Sequence, residues 1–157
     1  MFHHFQVRAL DPGIAASYFE LDDQQLAQLG ACRMTVDAKP GFPCRVSLQD
    51  AELGEEVLLF TYGHHDVVSP YRSAGPIFVR RNAPAARLAV DALPPHLAHR
   101  FLSLRGYNRA AMLVDACTAA GADLETALQS MLDHTDIHYI HLHNAAQGCF
   151  HCQVDRV

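Results

Sequence analysis

The chain has 157 residues, half of them apolar, and a formal net charge of -5 when its eleven histidines are neutral. A chain of roughly 150 residues buries about two-thirds of its unfolded surface, so a single globular domain spanning 1–157 is expected. The acidic balance argues against nucleic acid as a partner, because nucleic-acid binders carry a basic stripe, and no apolar run approaches the roughly 20 residues that span a bilayer, which argues against a membrane.

Lys39 is the only lysine among twelve Lys and Arg residues. Arginine is the better bidentate binder of carboxylate or phosphate, although most of the eleven read as a coding bias toward Arg. The five cysteines are an odd number, and Met1-Phe2-His3-His4-Phe5-Gln6 has no basic region followed by an apolar one. A cytoplasmic protein with reduced thiols is the expectation.

In chain order, Phe5 to Leu10 reads as a first strand, and Asp22-Asp23 caps a short helix through Leu29 that Gly30 ends. Cys32 to Val36 alternates as a strand, and Lys39-Pro40-Gly41-Phe42-Pro43 is a loop because prolines and glycine break a ladder. A short strand over Cys44 to Leu48 and an apolar one over Glu55 to Tyr62 follow. Ser69 to Pro76 is a second punctuated loop, with Ile77 to Arg80 a strand leaving it. Pro94-Pro95 opens a short helical or irregular stretch, and Phe101–Arg105 and Met112–Thr118 are strands around a turn at Gly106-Tyr107-Asn108.

The spacing predicts the best helix over Asp123–Asp133, where Leu124, Ala127, Leu128, Met131 and Leu132 fall on one stripe and Asp123 is the N-cap. Strand, helix and strand across 112–143 form a crossover whose two strands run parallel if they share a sheet. Residues 137–154 close the chain as a hairpin. The expected fold is α+β: a mixed, mostly antiparallel sheet of five or more strands with helices mainly on one side.

The chemistry concentrates in that hairpin, where four histidines and two cysteines fall within fifteen positions from His138 to Cys152. Strand alternation places His141 and His143 on one face, and Cys149 and His151 together after the loop. If His143 pairs with Cys149 and His141 with His151, the four crowd one face, a conceivable set of zinc ligands. Cys152 is excluded from that set by alternation. The absence of a turn between Cys149 and Cys152 argues against a structural zinc knuckle, and the expectation is that no metal binds. The competing reading is half-exposed strand histidines and cysteines that are small buried hydrophobes.

Cys44 is a second candidate, since a neighbouring cation such as Arg45 stabilises a thiolate and His141, His143 or His64 could serve as its base. A simple buried cysteine is the alternative. The loop Pro70 to Pro76 presents Tyr71, Arg72 and Ser73, and Arg72 with Arg80 or Arg45 could clamp an anion. No phosphate loop, GxGxxG, GxSxG or HExxH occurs.

Three segments together resemble a known family: Pro40-Gly41-Phe42-Pro43-Cys44-Arg45, Ser69 to Arg80, and Tyr139 to Asn144 continuing through Gly148-Cys149 to Arg156. The chain resembles the bacterial "domain of unknown function 1203" family over nearly its whole length. The resemblance implies a small single-domain bacterial protein and supplies no activity or cofactor. It draws attention to Cys44, Arg45, Tyr71, Arg72, Arg80, Arg105, Asn144, Gly148, Cys149 and Arg156.

The functional expectation is a pocket in which Arg45, Tyr71, Arg72, Arg80, Arg105 and Asn144 bind a small anionic or polar ligand. Cys44, His141 and Cys149 would supply thiol or acid/base chemistry there. The alternatives are a non-catalytic binding or protein-interaction module, with a homodimer allowed, and a zinc-binding hairpin through His141, His143, Cys149 and His151.

Overall fold

Leu104, Leu142 and Cys152 sit side by side on three neighbouring antiparallel strands, and this apolar row marks one face of the main sheet. The computed structural model describes residues 1–157. The strands involved are β5 (Phe101–Tyr107), β7 (Tyr139–Asn144) and β8 (Phe150–Arg156). With β1 (Phe5–Arg8) and β6 (Leu113–Ala120) they form a five-stranded sheet in the order β1-β8-β7-β5-β6. Both β6 and β7 are antiparallel to β5, so they run parallel to each other, as the crossover predicts, with β5 between them.

The remaining strands, β2 (Cys32–Thr35), β3 (Glu56–His65) and β4 (Ser73–Arg80), make a separate three-stranded antiparallel sheet. The fold is therefore α+β and mostly antiparallel as expected, but it is built on two sheets rather than one. The division is physical: the long loop 81–100 between β4 and β5 ends the pairing of the first set of strands.

Helix α3 (Leu124–Leu132) buries Leu124, Leu128, Met131 and Leu132, the predicted stripe, against Leu102, Leu104, Ile140, Leu142, Cys152 and Val154 of the larger sheet. Each such buried side chain is worth about 2 kcal/mol of apolar burial. Asp123 occupies the N-cap position without a side-chain cap bond, because a short 3-10 turn, Gly121–Asp123, leads into the helix instead. Gly106 of β5 leaves room for this packing: a Cβ there would stand 2.6 Å from Ile137 and 2.9 Å from Met131.

Two helices cover the smaller sheet. In α2 (Asp23–Gln28) the Asp22 side chain accepts from the Gln25 amide and the Gln25 side chain returns the bond, a full capping box, and Gly30 follows at φ +71°. The other, α1 (Gly13–Phe19), was not expected. Ile14, Ala15, Tyr18 and Phe19 pack on the second core with Leu58, Phe60, Ile77 and Val79, but seven residues beside Pro12 offer little periodicity to read.

Two further differences bear on function. Strand β4 begins at Ser73, inside the segment expected to be loop, because Gly75 and Pro76 pair with Tyr62 and Thr61 at the edge of the sheet, where a missing N–H costs nothing. Residues 44–48 are not a strand: they form a buried turn in which Cys44 bridges Phe78 and Leu48 takes φ +51°. This turn is tied to β4 by Arg45 N–H to Phe78 O and to β8 of the larger sheet by Arg45 Nε to Phe150 O, with Leu10 N–H to Arg45 O and Ala86 N–H to Val46 O holding it to flanking loops.

Candidate functional site

The face of the larger sheet opposite the apolar row is polar. Its cross-strand rows read Arg105–His141–Gln153 and Ser103–His143–Phe150. The second row exposes a correction. His143 faces Phe150 rather than Cys149, and His141 faces Gln153 rather than His151, because a bulge lies between Leu142 and His143 in the β7–β8 pairing. The bulge shifts the register and divides the four hairpin residues expected to share one face between two neighbouring clusters.

The first cluster surrounds Arg45, whose side chain is 1% exposed. Its Nε donates to Phe150 O at 2.7 Å and Nη1 to Pro43 O at 2.5 Å, and it has no carboxylate partner. Burial pulls the guanidinium below its ordinary value, opposed chiefly by the nearby Cys149 and by Cys44. Asn144 joins the neighbouring groups: its Nδ2 donates to Cys149 Sγ at 3.5 Å and its Oδ1 accepts from His151 Nε2–H at 2.8 Å. His151 in turn meets His96, ring centroids 5.6 Å apart. Burial holds His96 at about 4 and His151 well below the usual imidazole range, with Arg100 and Arg45 adding to it. Both rings are therefore neutral at pH 7.

Arg100 Nη2 donates to Asp50 Oδ1 at 2.5 Å, and its Nη1 also donates to His96 O. An open cleft of about 350 Å³ lies over this group, lined by Pro43, His99, Arg100, Phe101, Asn144 and Gln147 among others. Cys149, half-buried, is linked to the cleft through Asn144.

The second cluster is aromatic. A register shift between Tyr62 and His65 at the end of β3 lets two consecutive histidines meet the hairpin: His64 and His65 lie 6.0 and 5.0 Å from His141. His65 donates Nδ1–H to Tyr71 O at 2.7 Å, so its Nε2 accepts from the Tyr139 hydroxyl at 2.6 Å. Tyr107 stacks on Tyr139, 5.4 Å between centroids. Burial holds His64 and His141 at about 4 and His143 at about 3.

The residues expected to line one pocket are thus dispersed. Cys44 is fully buried, and its sulfur accepts from the Ser47 and Arg80 amides at 3.4 Å each, a structural role. Arg80 makes a two-pronged pair with Glu55 at 2.5 and 2.6 Å and so is spoken for. Arg72 lies on the surface against Asp66 at 2.8 Å. Tyr71 belongs to the aromatic cluster, and Arg105 bonds Ser103 Oγ at 3.3 Å beside the imidazoles. Arg45, Asn144 and Cys149 do come together. Arg156 caps α3 instead, donating to Leu132 O and His134 O. The residues missed are His96, Arg100 and Asp50, since a pair fifty positions apart leaves no local pattern.

Among known families, a model described as "Protein of unknown function (DUF1203)" matches residues 41–156, which include all of the Arg45, Cys149 and imidazole groups. Neither a curated protein nor a solved structure is detectably similar to the chain.

Proposed function

The chain belongs to the DUF1203 family, whose description assigns no activity, and from the site itself we propose that the protein binds a small anionic or polar ligand in the cleft beside Arg100 and Asn144, with Cys149 as the thiol available for chemistry. The observation that carries this reading is Arg45. A guanidinium does not lose its proton, and a buried one without a carboxylate is costly unless an anion or strong dipoles stand against it. Here carbonyl dipoles and the Cys149 sulfur supply that role, leaving the neighbourhood net positive.

A small oxyanion entering the cleft would meet Arg100 and the Asn144 amide. Asn144 couples that site to Cys149, so ligand binding and thiol reactivity should be linked. The neutral His151 and His96 rings can accept or relay a proton without adding charge.

The test is alkylation of Cys149 in a Cys32→Ser background, which removes the exposed thiol, with and without phosphate, sulfate, acetate or citrate. At least one of these anions should change the alkylation rate in a saturable way, and Arg100→Gln and Asn144→Ala should weaken that effect by about tenfold, the loss of one charge-assisted contact. A rate that none of the four anions alters sinks the reading.

A further inference from the structure

The two edges of the larger sheet are finished differently. At one edge, β1 has its outward backbone groups taken within the chain: Phe5 N–H donates to Asp91 Oδ1 and Phe5 O accepts from Asp91 N–H, both at 2.9 Å, and Val7 O accepts from the Gln6 side chain at 3.1 Å. At the other edge, β6 pairs only with β5. We propose that the bare edge of β6 is the interface of a homodimer, in which two copies pair antiparallel about a two-fold axis at Thr118 and join their larger sheets into one.

The direction of the backbone groups fixes which residues can pair. Gly121 N–H donates to Arg100 O at 2.7 Å, so Gly121, and with it Ala119, Cys117 and Asp115, turn their peptide groups toward the β5 side. Ala116, Thr118 and Ala120 therefore turn theirs outward, and Ala116 N–H accordingly finds only the Asp115 side chain, at 2.9 Å. All three residues are exposed. From Asp115 to Ala120 the strand keeps register with β5, and it contains no Lys, Arg or Pro, the residues that usually blunt an edge.

This edge is complementary to itself. An axis at Thr118 sets Ala116 opposite the partner's Ala120 and Thr118 opposite the partner's Thr118. Every outward residue then meets another outward residue, and about six hydrogen bonds form, two for each pair. Asp115 yields Ala116 N–H to the partner's Ala120 carbonyl in the exchange. Thr opposite Thr is a favourable cross-strand pair.

The charges agree with the same register. Asp115 is the only charged residue of β6, and it stands opposite the partner's Gly121, about 20 Å along the ladder from the partner's Asp115. Two copies of a chain with net charge -5 can therefore meet here without opposing like charges. A strand from an unrelated protein would account for none of this symmetry. Because β1 closes the other edge of the larger sheet, the pairing stops at two chains rather than growing into a filament. A single edge is a small contact, so the expected dissociation constant is about 10–50 µM.

The interface stands independently of the ligand proposed for the cleft. The experiment is sedimentation velocity of the full chain under reducing conditions, from about 5 to about 200 µM, where a monomer–dimer equilibrium is expected. Thr118→Pro removes only an outward N–H and should weaken association at least tenfold with the far-UV circular dichroism unchanged. Thr118→Val keeps that N–H and should associate as the parent does. Register is read separately, without proline, by diamide oxidation in a Cys32→Ser/Cys149→Ser background. Ala119→Cys places a thiol opposite the partner's Cys117 with Cα atoms about 4.5 Å apart, within disulfide reach, whereas Cys117 by itself lies about 8 Å from its copy. A covalent dimer should form with Ala119→Cys, and neither without it nor with Ala119→Cys/Cys117→Ser. A chain that stays monomeric throughout, a folded Thr118→Pro that associates as the parent does, a Thr118→Val that fails to associate, no covalent dimer with Ala119→Cys, or a covalent dimer with either thiol alone overturns the proposal.

Discussion

Arg45 Nε donates to the Phe150 carbonyl at 2.7 Å, joining the buried turn between the sheets to the closing hairpin 105 residues later. The same guanidinium also donates to Pro43 O, so one side chain ties its own turn to the hairpin.

Removing it leaves two carbonyls without their donor. Arg45→Ala should destabilise the fold by about 3 kcal/mol, from unsatisfied buried acceptors and the lost packing of the stem. Arg45→Lys should recover less than half of this, because an ammonium lacks the planar fork. Urea denaturation measures both, and an Arg45→Ala variant as stable as the parent would show the tie to be dispensable.

Acid should unfold the protein through its histidines. His96 and His141 sit at about 4 and His143 at about 3 when folded, chiefly because burial disfavours the charged ring. In the unfolded chain they titrate near about 6.5. Between those values the unfolded state binds more protons, so stability falls as pH falls from about 6.5 toward 4 and is flat above about 7. Each of these buried imidazoles costs on the order of 2–3 kcal/mol at the lower end. Denaturant midpoints measured from pH 8 to 4 should decline only in that window; a constant midpoint down to pH 4 would contradict the buried, neutral assignment.

The five thiols should divide by environment. Burial pushes Cys152 up to about 12, and Cys44 is fully enclosed, so neither should react with a thiol reagent in the native state. Cys32 is exposed and Cys149 half-buried, and these two should react first, ahead of Cys117, which is also half-buried but whose thiol is pushed up by burial and by Asp115. Mass spectrometry of partially labelled native protein identifies the sites, and early labelling of Cys152 would be inconsistent with the packed row against Leu142.

Gly121 has no room for a side chain. A Cβ there would fall 1.8 Å from Leu97 O, so the turn before α3 or the Pro95–Leu97 turn must move. Gly121→Ala should cost about 3 kcal/mol or more and lower the melting temperature clearly, whereas Gly75→Ala, which meets nothing within 4 Å, should change it little. Equal melting temperatures for the two variants would refute the contact.

Much of the fold was legible in local pattern. The stripe of α3 and the Asp22 cap with Gly30 beyond α2 each depend on residues within a few positions of one another, and each stands as predicted. The membership of Cys149, Asn144 and Arg45 in one site was legible only as three polar positions of similar character. No helix is long and apolar enough to cross a membrane.

What tertiary structure decided is register and neighbours. Alternation assigns faces correctly until a bulge adds a residue; the one between Leu142 and His143 separated His141 and His143 from Cys149 and His151, and the register shift before His65 brought His64 to the imidazoles. Cys44 and Arg80, chemically suggestive in sequence, are occupied by backbone amides and by Glu55, whereas Asp50, His96 and Arg100 meet from distant loops. Residue type and spacing determine which chemistry a segment can offer. Which groups remain free to offer it depends on hydrogen-bond partners and burial, and these are set only when segments far apart in the chain pack together.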